Sequence, residues 1–201
     1  MSNITGCHGC GLHHQCVCHL VPHIEVPVHI ALLMHENEVT RETNTGQWLL
    51  KALPSTSKHI WQRRSPCPEL IKLIESDHYQ PYLLYPSDNS VSLSEVTNMS
   101  AQQQKVPLLI ILDGTWQEAA KMLRKSGWLA ALPGVHLTPS QPSAYQLRRN
   151  QQQGHLCTFE VGAEVIKELG FTHQAQQLED FFQQYIPIFK ADKSGHALKH
   201  Q

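Results

Sequence analysis

Residues Leu108 to Leu112 form an unbroken apolar run, Leu-Leu-Ile-Ile-Leu, introduced by Pro107 and ended by Asp113-Gly114. No other stretch restricts the fold so strongly. A run of leucine and isoleucine without polar alternation suits a strand covered on both faces, as in a parallel sheet. Asp-Gly favours a tight turn, because both residues tolerate the backbone angles a turn demands. Thr115 is then placed to cap Trp116 to Lys125, which combines strong helix formers with apolar residues at helical spacing. Strand, turn and helix together put Asp113 and the amides around Gly114 at the carboxyl end of a sheet. Open α/β folds bind small ligands there. On spacing alone, Asp113 serves equally well as a turn residue or as a functional acid.

With 201 residues, 41% of them hydrophobic, one α/β domain with a small appendage is expected. A net charge of −1 with 16% charged residues gives no overall basic character, so any grip on nucleic acid must come from local patches. No apolar run approaches the roughly 18 residues of a membrane helix, and the N-terminus is polar and cysteine-bearing. A cytoplasmic protein without membrane attachment or an obligate protein partner is the expectation. No G-x-G-x-x-G turn follows a strand candidate, no P-loop occurs, and no Ser-His-Asp arrangement can be assembled from motifs.

Four of the six cysteines, Cys7, Cys10, Cys16 and Cys18, lie within twelve residues. In a reducing compartment such a cluster points to a metal rather than to disulfides. Four thiolates make a closed tetrahedral zinc site, structural because no position is left for water. Reduced, unliganded cysteines at a frayed terminus are the other reading. Cys67 lies outside this spacing and reads as a small semi-buried thiol.

The rest of the chain alternates strand and helix candidates. Val26–Met34 reads as a first core strand, followed by a polar loop, with Asn44 or Thr45 capping a helix that opens at Gly46. Lys58–Arg64 reads as a short strand, Pro68–Glu75 as a helix, Pro81–Ser87 as a strand stopped by Pro86, and residues 87–105 as a loop or mobile crossover. Gly134–Leu137 reads as a strand. Thr158 is a natural N-cap with Glu160 in the first turn, and a last helix spans about Gln174 to Tyr185.

Asp113-Gly114-Thr115-Trp116, together with Leu147-Arg148-Arg149, resembles the signature of the DTW-domain family, and the likeness runs from the first cysteine to the last helix. The resemblance implies a tRNA-uridine aminocarboxypropyltransferase related to the knotted SPOUT enzymes, with S-adenosylmethionine as co-substrate, Zn2+ as structural metal and tRNA as partner. It implies an α/β fold with a mostly parallel sheet and a C-terminal knot. Residues 1–24 would be the zinc module, 25–190 the catalytic domain and 191–201 a disordered tail. Asp113, Thr115 and Trp116 would be catalytic. Asp113 would act as base or cofactor anchor, and Trp116 would stack on the base, wall the pocket or sit in the core.

Leu84, Tyr85, Pro86, Leu112, Asp113, Gly114, Arg148, Leu156, Thr158 and Glu160 would hold the co-substrate. His35, Glu38, Arg63, Arg64, Lys121 and Arg149 would face the RNA, with His35, Glu38 and Thr45 on the rim of the site. The chain departs from the family at His35-Glu36-Asn37-Glu38, where a proline is usual after the histidine. A methyltransferase of the same fold, or a non-catalytic zinc-containing nucleic-acid binder, are the competing expectations.

Overall fold

The computed structural model describes residues 6–87, 89–138 and 156–199. Its elements in chain order are β1 (His29–Met34), α1 (Gly46–Ala52), β2 (Thr56–Ile60), α2 (Pro68–Ile74), β3 (Tyr79–Leu84), β4 (Val91–Ser92) and α3 (Leu93–Gln102). They continue with β5 (Val106–Asp113), α4 (Trp116–Lys125), α5 (Gly127–Ala130), β6 (Gly134–His136), α6 (Thr158–Glu168) and α7 (Thr172–Lys193). The strands form one sheet in the order β2-β1-β5-β3-β6-β4, and every pairing is parallel.

The apolar run becomes β5, between β1 and β3, and feeds two cores at once. Leu109 and Ile111 join the core under α1, α3, α6 and α7, while Leu108, Ile110 and Leu112 join the one under α2, α4 and α5. Full burial of such a side chain contributes about 1.5–3 kcal/mol, which explains why no polar alternation is tolerated here. The chain leaves β1 through α1 and β3 through α3, both on the first face, but leaves β5 through α4 on the second. Neighbouring strands whose connections depart to opposite faces leave a crevice at their carboxyl ends. Asp113 stands in it.

Several expectations are corrected. Residues 87–105 are not an irregular crossover. They contain β4 and a ten-residue helix, α3, which starts with a capping box between Ser92 and Glu95 and buries Leu93 and Val96. The Ser, Asn and Gln content hid this Ser-x-x-Glu signature. The strand expected over Lys58–Arg64 is β2 and ends at Ile60, leaving Arg63 and Arg64 exposed.

The last helix runs on to Lys193, through Pro187 and past the boundary expected at 190. Tyr185, Ile188, Phe189 and Asp192 recur at helical spacing and are buried, a stripe that the polar neighbours and Pro187 obscured. Aromatic packing of α7 holds α6 and α1 together, with Phe159 and Phe182 rings 4.8 Å apart and Trp48 and Tyr185 likewise 4.8 Å apart. Of the described residues in the cysteine-bearing segment, Leu12, Val17 and Ile24 pack into the first core. Residues 139–155, which lead into the loop–helix junction of α6 where the C-terminal knot was expected, lie outside the described residues.

Candidate active site

Asp113 is 2% exposed, and its carboxylate is held by two distant segments. The Thr158 hydroxyl donates to Oδ1 at 2.6 Å, and the Asn44 amide donates to Oδ2 at 2.8 Å. The same Asn44 nitrogen donates to Glu38 Oε2 at 3.1 Å, while Asn44 Oδ1 accepts the Gln47 backbone N–H. That last bond fixes the amide orientation, so both of its N–H groups face carboxylates. Gly46 completes the seat. A Cβ there would lie 2.6 Å from Asp113 Oδ2, so α1 can approach only with glycine at its first turn.

Glu38 is buried and pairs with Arg41, which also reaches Glu118 at 3.3 Å. A buried carboxylate of this kind is tolerable only when a cation and hydrogen bonds compensate its desolvation. Glu118 closes the network from α4. It accepts the Thr115 backbone N–H at 2.8 Å, the Thr115 hydroxyl at 2.9 Å and the Asn37 amide at 2.8 Å. Burial opposes ionisation of Glu118, but these donors and Arg41 outweigh it and bring the carboxyl down to about 2. Thr115 thus caps α4 as expected, in a capping box with Glu118.

His35 joins this network from just past the end of β1. Its backbone N–H donates to the Asp113 carbonyl at 2.9 Å, its Nδ1 accepts the Asn37 N–H at 3.3 Å, and its ring stacks on Trp61 at 5.3 Å. At 1% exposure each, His35 and Glu38 offer no surface to RNA, and with Thr45 at 4% they lie beneath the crevice, not on its rim. Their polar atoms organise the loop instead. Thr158 is also corrected: it is the first residue of α6, the N-cap is Cys157, and the Thr158 hydroxyl is spent on Asp113. Glu160 has the expected first-turn role, accepting the Cys157 backbone N–H at 2.8 Å.

Trp116 is 46% exposed at the start of α4, beside Asp113 in sequence, so the core reading of this residue is excluded. Leu84 and Tyr85 are half-buried and Pro86 exposed where β3 ends, at the same edge of the sheet. The Leu112 side chain faces the second core, which leaves only its backbone toward the crevice. Leu156 and Glu160 line a depression between α6 and α7 with Phe159, Glu164 and Phe182. Lys121 places its Nζ 5.8 Å over the Trp61 ring, and Arg63 and Arg64, just past Trp61 in the chain, are exposed. Arg148 and Arg149 lie outside the described residues.

Sequence reasoning missed Arg41, Gly46 and Glu118 and gave Asn44 only a capping role. Only Thr115-x-x-Glu118 carried a signal, its capping-box spacing.

The four N-terminal cysteines do converge. Their sulfurs all lie within 4.8 Å of one another, with Cys7 to Cys16 at 3.5 Å and Cys7 to Cys18 at 3.8 Å. Four thiolates about 2.3 Å from a tetrahedral zinc would sit about 3.8 Å apart, so this donor set fits that metal. The Cys7 thiol is lowered to about 6, chiefly by the backbone N–H groups of Cys10 and Gly9. Cys18 is pushed up to about 12 by burial and then by its sulfur neighbours, a repulsion that a divalent cation relieves.

Fold and site together define a three-layer α/β protein whose buried acid stands at the carboxyl end of a parallel sheet. Residues 4–189 match the DTW domain, and the chain belongs to that family. It is similar to tRNA-uridine aminocarboxypropyltransferase 2 of Drosophila melanogaster, with 30% identity over 161 residues, 77% of this chain and 62% of that protein. The chain therefore spans less than two thirds of that relative. No solved structure matches. Among the described residues no helix is long and apolar enough to cross a membrane.

Proposed function

We propose that this chain transfers the 3-amino-3-carboxypropyl group of S-adenosylmethionine to N3 of a tRNA uridine, forming acp3U and releasing 5'-methylthioadenosine. The observation that carries this reading is Asp113, a buried carboxylate clamped at the crevice in a family with a relative named tRNA-uridine aminocarboxypropyltransferase 2. Bound S-adenosylmethionine supplies a sulfonium leaving group, and placement decides which of its three attached carbons is attacked. A pocket that shields the methyl and presents the aminobutyrate carbon favours this transfer.

Asp113 takes the weakly acidic N3 proton as the N3–carbon bond forms and the carbon–sulfur bond breaks, its electron pair staying on the thioether sulfur. Thr158 and Asn44 keep the carboxylate in one rotamer for that step. Thr115 sets the start of α4, and Trp116, exposed beside the acid, stacks on the target base. Leu84, Tyr85 and Pro86 wall the adenosine with the backbone at Leu112 and Gly114, and Leu156 and Glu160 close that side. Arg148 grips the amino-acid carboxylate, and Arg149, Arg63, Arg64 and Lys121 meet RNA phosphate. The four cysteines hold a structural zinc, and the protein works in the cytoplasm.

The co-product tests the reading. Purified protein, undermodified tRNA and S-adenosylmethionine should yield methylthioadenosine in step with modified uridine, and Asp113→Asn should abolish both. S-adenosylhomocysteine in its place would make the chain a methyltransferase of the same fold.

A further inference from the structure

The loops between the metal-site cysteines are held by two charged side chains from far along the chain. Asp192 Oδ1 accepts the backbone N–H groups of both His13 and His14, each at 2.7 Å, across 179 and 178 residues of sequence. Those two amides lie inside the loop that separates Cys10 from Cys16. On the other side, Lys51 of α1 donates through Nζ to the carbonyl of Gly9, between Cys7 and Cys10, with its ammonium 4.8 Å above the Trp48 ring. The two longer inter-cysteine loops therefore each have a charged clasp, matched in sign to the backbone group it holds.

The placement of Asp192 is costly. It is the penultimate residue of α7, where a negative charge opposes the helix dipole, it is 6% exposed, and its Oδ2 is buried without a hydrogen-bond partner among the described residues. A residue needed only to end a helix would not be an acid there. Two short, charge-assisted bonds to consecutive amides are the compensation. Further ties run alongside: Gln15 Oε1 accepts the Leu198 N–H at 3.1 Å, and Lys193 pairs with Glu42 at 2.7 Å.

We propose that Asp192 and Lys51 are the positioning residues of the cysteine site, ordering its two loops before the metal arrives and so setting metal affinity. The inference rests on the metal reading above. A metal site pays for whatever loop order it must impose, and partners beyond the ligands typically govern affinity by about 10–100-fold. The arrangement has a second consequence. The helix that Lys51 sits on opens at Gly46 beside Asp113, and the helix that Asp192 ends packs against α6, which carries Thr158. The cysteine loops thus bridge α1, which seats the acid, and α7, which packs against the helix carrying Thr158.

The test is zinc competition against a chromophoric chelator, with Co2+ absorption as a report of four-thiolate geometry, on the whole chain. Wild type should bind one Zn2+ tightly. Asp192→Ala and Lys51→Met should each bind about 10–100-fold more weakly, Asp192→Asn should fall between, and Asp180→Ala, a change at an exposed acid of the same helix, should match wild type. Asp192→Asn keeps an acceptor for the amides and stands in should the alanine variant not fold. Wild-type affinity in the folded Asp192 and Lys51 variants, whatever their melting temperatures, would overturn the proposal. A wild-type chain that binds no metal would overturn the metal reading with it, and neither result bears on the transfer chemistry.

Discussion

Thr158→Val removes one hydroxyl and almost nothing else. Valine has the same branching and nearly the same volume, and Thr158 is not the cap of α6, so the helix start is untouched. What is lost is the 2.6 Å bond to a carboxylate that is 2% exposed. Hydrogen bonds to charged groups contribute about 1.5–3 kcal/mol, and burial prevents water from replacing the donor. The expected loss is about 2 kcal/mol, a fall in melting temperature of roughly 4–8 °C for a chain of this size.

A cap substitution would cost about 1 kcal/mol, too close for stability alone to separate the two accounts. The double-mutant cycle with Asp113→Asn separates them. If the hydroxyl serves the Asp113 charge, Thr158→Val should cost little in the Asp113→Asn background, giving a coupling above about 1 kcal/mol by urea unfolding. If it serves the helix, the cost is the same in both backgrounds. A coupling below about 0.5 kcal/mol would refute the clamp.

Gly46→Ala in a helix normally gains up to about 1 kcal/mol, yet here the added methyl would lie 2.6 Å from Asp113 Oδ2. The variant should instead lose stability and activity together, as thermal melts and a transfer assay would show. His29 and His59 are joined through Ser57 by two 2.8 Å bonds; burial lowers both histidines, His59 adding to the effect on His29 and Glu69 opposing it at His59. Their contribution to stability is fully present above about pH 6.5 and is lost as the pH falls through the lower folded values, because the unfolded chain binds protons first. Urea midpoints at pH 7.5 and 5.5 should therefore converge in His59→Gln relative to wild type. Replacing exposed Arg63 and Arg64 with alanine should weaken tRNA binding and reduce its salt slope by about 1.5, with no change in S-adenosylmethionine binding.

The strand, the turn and α4 were readable because Leu108–Leu112 has no other good fate and Thr115-x-x-Glu118 marks a helix start. The same local rules hid what depends on register. Asn44 reads as a cap, and nothing in its neighbourhood announces that parallel pairing of β1 with β5, Met34 opposite Asp113, brings its amide to that acid. Thr158 suits an N-cap by residue type, and its true partner is 45 residues away. His35 and Glu38 look like rim residues because both are polar, whereas Arg41 and Asn44 make the burial of Glu38 possible, and Trp61 and the Asn37 N–H that of His35. The His29–Ser57–His59 chain likewise exists only once β1 lies beside β2.

The most direct test of the central claim uses S-adenosylmethionine carrying one isotope on its methyl and another on its aminobutyrate carbons. It is incubated with the protein and undermodified tRNA, and the nucleosides are then read by mass spectrometry. The account predicts aminobutyrate label on uridine, none from the methyl, and loss of the signal in Asp113→Asn. Methyl label on the RNA, or no label from any tRNA pool with folded, metal-loaded protein, would contradict it.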